Sequence, residues 1–518
     1  MRFYKSPQGK LGETNISEIK LDKKSQDDVP RILIGLQTLH NDKEARKEVM
    51  QILTKEVLPN TDKKTGRKGM DIWNIFVLAA VRLGANIDFC RLRDYANSHR
   101  EVRAFLGFSF MAFDEQYDLQ TIKNNTRLIT KEIMDKINNV IVKLGHRQFT
   151  DNQTKELKVK GDSFVMKTKV EYPTDIGLLE DGVVGAIMES SKMAEAYSLT
   201  GYRQSTSTIN KIKKLRFKAQ QSRELRCKDD REKYLEKVGK PHRKLMNFVA
   251  KNIKKVTNDI KIMLDSVAEE KKVLEQKANS SIKIKEEKKI IKIEEKIAKI
   301  NYFTVETIKQ LEQMESRIFN EEIIPHYEKT FSLYKPYTEW INKGKAGVPV
   351  ELGVKVGIME DQFGFILNHR VMYKETDDKI AVDFLKNTQQ LFPKINSVSY
   401  DRGFWSKENL EAIKKLVVYV GMPKKGKLSK DDKKRQDSEN YNIARKKHST
   451  VESAINSLQQ HGCDFCPDYS QDSFERYTST AIVSRNLIKL GDVIIQKERK
   501  KLDRKKYTFK PQDLSKAA

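Results

Sequence analysis

The stretch from Glu156 to Val170, ELKVKGDSFVMKTKV, alternates apolar and polar positions and is rich in β-branched residues. A period of two predicts a strand, with Asp162 near its middle. A short apolar run, INSVSYDRGF from Ile395, predicts a second strand that closes on Asp401, just ahead of Gly403. Between them, VPVELGVKVGIMEDQFGFILNHRVMY from Val348 gives two alternating runs around the turn Glu360 to Gly364, the pattern of a β-hairpin. Farther on, HSTVESAINSLQQHG from His448 sets Val451, Ala454, Ile455 and Leu458 on one helical face and carries Glu452 in its first turn.

Elsewhere the period is helical. Residues 1–150 read as an all-α N-terminal domain. Its run from Met70 mixes apolar faces with Arg91, Arg93, Arg100 and Arg103 and is broken at Gly84 and Gly107. Two readings stay open there: a helix-turn-helix-like module that binds DNA through phosphates, or a helical cap with solvated arginines. The first strand stops at Tyr172-Pro173, and a helical stretch of 176–345 follows before strands resume. Within it Ile253, Val256, Ile260, Met263 and Val267, then Ile290, Ile293, Ile297 and Ile300, keep three-four spacing on either side of Ala278 to Ser281. That pattern predicts an antiparallel coiled-coil hairpin.

After the β-hairpin come a helix of about Asp378 to Leu391, the Asp401 strand, a helix of Lys407 to Leu416, the strand VVYVG ending at Gly421, a loop and the Glu452 helix. With the insertion removed, this order predicts an α/β, ribonuclease-H-like domain made of 151–175 and 346–495, leaving 496–518 as a basic tail. In that arrangement the first and fourth strands lie side by side, so Asp162 and Asp401 become neighbours.

Charge narrows the class of partner. Lys and Arg number 99 against 72 Asp and Glu, a formal net charge of +27 in 518 residues, which points to a polyanion and first of all to nucleic acid. Part of the excess lies in Met422 to Lys447, where ten basic residues, Lys424, Lys425, Lys446 and Lys447 among them, face four acidic ones. Read as a loop between the second and third carboxylates, this segment is placed to contact phosphates or to stay solvated. No run reaches the roughly 18 to 20 apolar residues of a membrane span, and the N-terminus has no apolar core of a secretory signal. A soluble cytoplasmic protein is expected. Four cysteines make no disulfide framework, and the lone pair Cys463 and Cys466 reads as two ordinary thiols rather than half of a zinc site.

Each carboxylate has a structural rival. Ser449-Thr450-Val451-Glu452 is a capping-box sequence, in which Glu452 bonds back to the helix start. Asp401 has the look of a strand-end turn residue. Asp162 sits inside a strand, where Asp is disfavoured and needs a partner or an ion. Asp175, Asp181, Asp377 and Asp378 read as helix N-terminal charges. Trp405 and Trp340 are candidates for stacking on an unpaired base, or are core.

Taken together, GDSFVMKTKVEYPTDIGLLEDG from Gly161, YTEWINKGKAGVPVELG from Tyr337, SVSYDRGFWSKENL from Ser397 and RKKHSTVESAINSLQQHG from Arg445 resemble the DDE transposases of bacterial insertion sequences. The likeness is to the non-classified group, whose catalytic domain carries a helical insertion after the first Asp. The resemblance implies that Asp162, Asp401 and Glu452 are catalytic and hold two Mg²⁺ or Mn²⁺ ions, and that Arg445 is the basic residue preceding the Glu. It also implies double-stranded DNA, element ends and target alike, as partner, and a homodimer at synapsis. Arg402, Trp405, Lys424, Lys425, Arg445, Lys446, Lys447, Arg91 and Arg93 are the expected DNA contacts. Related groups place a Lys two turns after the Glu where this chain has Gln459, so Lys446 or Lys447 would supply that contact. A metal-dependent nuclease or junction resolvase of the same fold, and a non-catalytic DNA-binding or coiled-coil protein, are the alternatives.

Overall fold

Alternation over Glu156 to Val170 becomes the twelve-residue strand β1, Leu157–Thr168. The structure, a computed structural model, describes residues 14–57, 69–109, 115–223, 230–275, 280–342, 349–446 and 448–508. The chain divides into two compact units, Met1–Lys169 with Ile341–Ala518, and Val170–Trp340.

The first unit is built on a mixed sheet. Its strands after β1 are β2 (Glu339–Asn342), β3 (Val350–Glu360), β4 (Ile366–Met372), β5 (Ile395–Tyr400), β6 (Tyr419–Gly421) and β7 (Phe465–Cys466). The path β2-β3-β1-β5-β6 orders the sheet, with β4 also paired to β3 and β7 to β1. β3 runs antiparallel to β1 and to β4, as a hairpin must, with Glu360 opposite Ile366 at the turn. β5 is parallel to both β1 and β6. Parallel neighbours need long crossovers, which the helices Asp377–Leu391 and Lys407–Lys414 supply.

The segment Met422 to Lys447, expected as a loop, is largely two short helices, Lys430–Gln436 and Glu439–Arg445. Their caps explain the difference. Ser429 and Asp432 form a reciprocal capping box, and the Ser438 side chain accepts from the Tyr441 N–H. Lys447 lies outside the described residues.

The helices of residues 1–150 share one apolar core with the sheet: Val77, Leu78 and Ile141 belong to the same cluster as Phe365, Val398 and Leu487. The helix Ile72–Gly84 is buried nearly all round, as an all-apolar helix must be. Its long neighbour Gln471–Thr508 absorbs the start of the expected tail, and 509–518 lie outside the described residues. No described helix is long and apolar enough to cross a membrane.

In the second unit, Lys240–Glu275 and Ser280–Ile318 pack along each other. The ion pairs Lys271–Glu294 (2.7 Å) and Arg243–Glu315 (2.5 Å) close in opposite chain directions, so the pair is antiparallel. Ile253, Val256, Ile260, Met263 and Val267 are buried against Ile290, Ile297 and Ile300. Asp175, in the first turn of Asp175–Met193, is held by both oxygens to Arg317. Trp340 stands 5.5 Å from the Tyr172 ring and 5.7 Å from that of Phe331, an aromatic cluster within this unit.

Two glycines set how closely the helices Asp28–Asn41 and Gln471–Thr508 approach. A Cβ on Gly35 would stand 2.2 Å from the Leu487 carbonyl oxygen, and one on Gly491 would stand 2.3 Å from that of Arg31. Both obstacles are backbone, so neither can turn aside. Gly35→Ala or Gly491→Ala is expected to cost about 1–3 kcal/mol through overpacking, read as a lower unfolding midpoint in urea. A midpoint equal to wild type would show that the helices do not meet there.

Candidate active site

The parallel pairing of β1 with β5 sets Gly161 opposite Tyr400, so the next residues, Asp162 and Asp401, leave neighbouring strands at the same level. Close approach here requires glycine: a Cβ on Gly161 would meet the Tyr400 ring at 2.4 Å. Tyr400 is fully buried, donates its hydroxyl proton to the Ala381 carbonyl at 2.8 Å, and stacks on Phe404 with ring centroids 4.6 Å apart. That stacking folds the chain back in the turn Arg402–Phe404 directly after Asp401. The Asp401 side chain makes no cap to this turn and is exposed.

The helix Thr450–Leu458 buries Val451, Ala454 and Leu458 and leaves Glu452 exposed. The capping-box rival is not realised: Ser449 has helical dihedrals and makes no side-chain cap. Three contacts instead fix where this helix begins. Arg445 donates to the Tyr400 carbonyl at 2.8 Å, one residue before Asp401. His448 Nδ1 lies 2.8 Å from Ser399 Oγ, two residues before it. Lys160, two residues before Asp162, donates to Thr450 Oγ1. The start of the Glu452 helix is thereby tied to both strands that carry the aspartates.

The electrostatics agree with this convergence. The Asp162 carboxyl is pushed up to about 6, first by burial and then by the carboxylates of Asp401, Asp377 and Glu452, against the Ser163 N–H that donates to it at 2.7 Å. The fourth acid, Asp377, does begin a helix as expected. It also stands at the cluster, accepting from Ser163 Oγ at 2.7 Å and pairing with Lys355 at 3.0 Å. It is the acid already compensated; among the described residues no cation lies within ion-pair distance of Asp162, Asp401 or Glu452. Their oxygens are hard donors, suited to Mg²⁺ or Mn²⁺, and a cation among them would relieve the repulsion that raises Asp162. Among the described residues no three His, Cys, Asp or Glu side chains already stand in a metal-holding arrangement.

The expected DNA contacts divide into groups. Arg402 is exposed beside Asp401, and Lys425 and Lys446 are exposed. Arg445 is engaged by the Tyr400 carbonyl, which makes it a positioning residue for the site. Lys424 pairs with Asp432 at 2.5 Å and lies 5.7 Å from the centre of the Trp405 ring. Trp405 is half-buried against the core, and its buried indole N–H has no hydrogen-bond partner among the described residues. Arg91 and Arg93 lie on the helix Phe89–Ser98, whose main contacts are with neighbouring N-terminal helices, and Arg93 pairs with Asp94 at 2.7 Å. Cys463 and Cys466 are buried and form no disulfide with each other, and His461 donates from Nδ1 to the Gly84 carbonyl at 2.7 Å.

Lys160, Ser399 and His448 are residues around the carboxylates that sequence reasoning passed over, and Asp377 was read only as a helix N-terminal charge. The alternation of β1 carried a signal for Lys160, which shares a sheet face with Asp162. No family model, curated protein or solved structure matches the chain.

Burial and the nearby Arg445 hold the His448 imidazole down to about 4, with Asp401 acting weakly in the other direction. In the unfolded chain it titrates near its ordinary 6.5. As pH falls through 6.5 the unfolded state takes up the proton first, so the stabilisation present above that pH is lost progressively toward pH 4. The loss amounts to at most about 3 kcal/mol at 1.36 kcal/mol per unit. A His448→Asn variant should be less stable than wild type at pH 7.5, with the gap in urea midpoint narrowing by pH 4.5. A gap of constant size would contradict the burial of a neutral His448.

Proposed function

We propose that this chain is a DDE transposase with a ribonuclease-H-like catalytic domain, acting on the DNA ends of an insertion sequence. The strand order β4-β3-β1-β5-β6, with only the second strand reversed, supports the fold reading. The observation that carries the functional reading is that Asp401 and Glu452 both act electrostatically on the partly buried Asp162 at the head of the parallel pair β1 and β5, with no cation at ion-pair distance among the described residues. The position of Val170–Trp340, which falls in the chain between β1 and β3, agrees with the resemblance.

Two Mg²⁺ or Mn²⁺ ions held by these carboxylates supply, when bound, a lowered pKa for the attacking oxygen and neutralisation of charge at the scissile phosphate. The chain's own residues provide the rest. Asp162 and Asp401 present oxygens from adjacent strands whose register the Gly161–Tyr400 contact fixes. Arg445 and His448 hold the Glu452 helix against the same strands. Exposed Arg402 is placed to meet a phosphate beside Asp401. In the first step a water oxygen bonds to phosphorus and the bond to the 3′ oxygen breaks, releasing a 3′-OH. In the second that 3′-OH attacks a target phosphodiester, so one P–O bond replaces another and no energy cofactor is needed. Joining two ends calls for two chains on DNA.

Purified protein with Mg²⁺ or Mn²⁺ and labelled DNA carrying the sequences that flank the coding region is expected to give cleaved and joined products. Asp162→Asn, Asp401→Asn and Glu452→Gln should each lower both steps at least a hundredfold while folding as wild type does. Cleavage without joining would assign a nuclease of the same fold. Equal products from all four proteins would sink the catalytic assignment.

A further inference from the structure

A cavity of about 1030 Å³ opens in the first unit, lined by Lys160 two residues before Asp162 and by Thr450 and Ser453 on either side of Glu452. Its wall is unusually cationic, with six Lys and Arg side chains against the two carboxylates Glu156 and Glu360. Lys160 and Arg485 form its back, each only 7% exposed. Both draw on Glu360, Lys160 bonding one carboxylate oxygen at 2.8 Å and Arg485 the other at 3.1 Å. One carboxylate between two buried cations leaves positive charge uncompensated. The adjacent Asp361 does not line the cavity; its oxygens are taken by His146 at 2.6 Å and by the N–H groups of Phe363 and Phe365.

Lys489 adds a third cation, half-buried, with no carboxylate at ion-pair distance among the described residues. Burial and Arg485 hold its ammonium below the ordinary lysine range, against the more distant carboxylates of Glu360, Asp492 and Asp361, which act the other way. Exposed Lys155, Lys158 and Lys446 stand at the mouth. Thr450 and Ser453 bring the start of the Glu452 helix to the same wall, where the Ser449 side chain makes no cap. The helix dipole adds to the positive potential there.

We infer that this cavity is a phosphate-binding subsite that seats the backbone of the nucleic-acid strand next to the reacting phosphodiester. The placement follows from β1: Lys160 and Asp162 share one sheet face, two residues and about 6.6 Å apart along the strand. A strand with one phosphate at the carboxylates can reach the cavity with a neighbouring one. The inference rests on the transposase reading for what the strand is, whereas the cavity's preference for phosphate stands on its own charges.

The test is binding without divalent ions, so catalysis does not enter. Fluorescence anisotropy in EDTA would follow a labelled oligonucleotide on wild type, Lys446→Gln, Lys489→Gln, the double variant and Lys489→Arg, with inorganic phosphate and a nucleoside triphosphate as competing probes. The double variant is expected to bind at least tenfold more weakly and to flatten the dependence of log K on log salt by about 1 to 2, as loss of one or two phosphate contacts does. Lys489→Arg should restore most of the affinity. If Lys446→Gln, a surface change, and Lys489→Gln both bind as wild type does, the subsite is overturned. The strand assignment is overturned if the variants lose nucleoside triphosphate or phosphate binding but keep the oligonucleotide. Failure of the transposase reading shows separately: the carboxylate variants then cleave like wild type while the cavity variants still weaken binding.

Discussion

Lys160 is the point on which the first unit turns. Its ammonium is buried in β1 yet reaches Glu360 at the end of β3 and Thr450 at the start of the Glu452 helix, while Arg485 of the long C-terminal helix shares Glu360. Three elements distant in sequence meet at one buried carboxylate, and Lys160 carries the link on to a fourth, the Glu452 helix. Desolvating such charges is costly, so the network adds little net stability compared with apolar packing. Removing one partner would nevertheless strand buried charge at a cost on the order of 3–5 kcal/mol. The network therefore specifies geometry: it admits one position for the helix that carries Glu452.

The strand pairing does the complementary work. Gly161 and Tyr400 bring β1 and β5 together so that Asp162 and Asp401 emerge side by side, and Arg445 and His448 tie the third carboxylate to the residues just before Asp401. The cost is visible at Asp162, whose carboxyl is raised by burial and by its acidic neighbours. Such local frustration is common where a site awaits a cation or a charged substrate. Asp377, held by Lys355 and Ser163, shows what the same surroundings do to an acid that already has its partners.

How much of this was legible depended on the cleanness of each period. β1 and the hairpin could be read because apolar and polar residues alternate along much of their length, β5 because a short apolar run closes on Asp401, and the coiled-coil pair because isoleucine recurs at three-four spacing. The helix Gln471–Thr508 was hidden. Buried Thr478, Ser479, Ser484, Arg485 and Asn486 interrupt its apolar stripe, and the hydroxyls of Thr478 and Ser484 turn back on the helix's own carbonyls. Dense charge in 422–447 masked the caps at Ser429 and Ser438. Asp377 was read correctly as a helix start, but only tertiary packing sets it beside Asp162. Whether Glu452 capped its helix hinged on the dihedrals of Ser449, which no local pattern reveals.

The central claim is that Asp162, Asp401 and Glu452 act as one centre for divalent cations. Titration with Mn²⁺ followed by the electron paramagnetic resonance of the free ion, with and without a duplex oligonucleotide, tests it most directly. The account predicts saturable uptake by the wild-type chain, weakened at least tenfold in each of Asp162→Asn, Asp401→Asn and Glu452→Gln. Uptake by all three variants equal to wild type, or a loss confined to one of them, would contradict a shared centre.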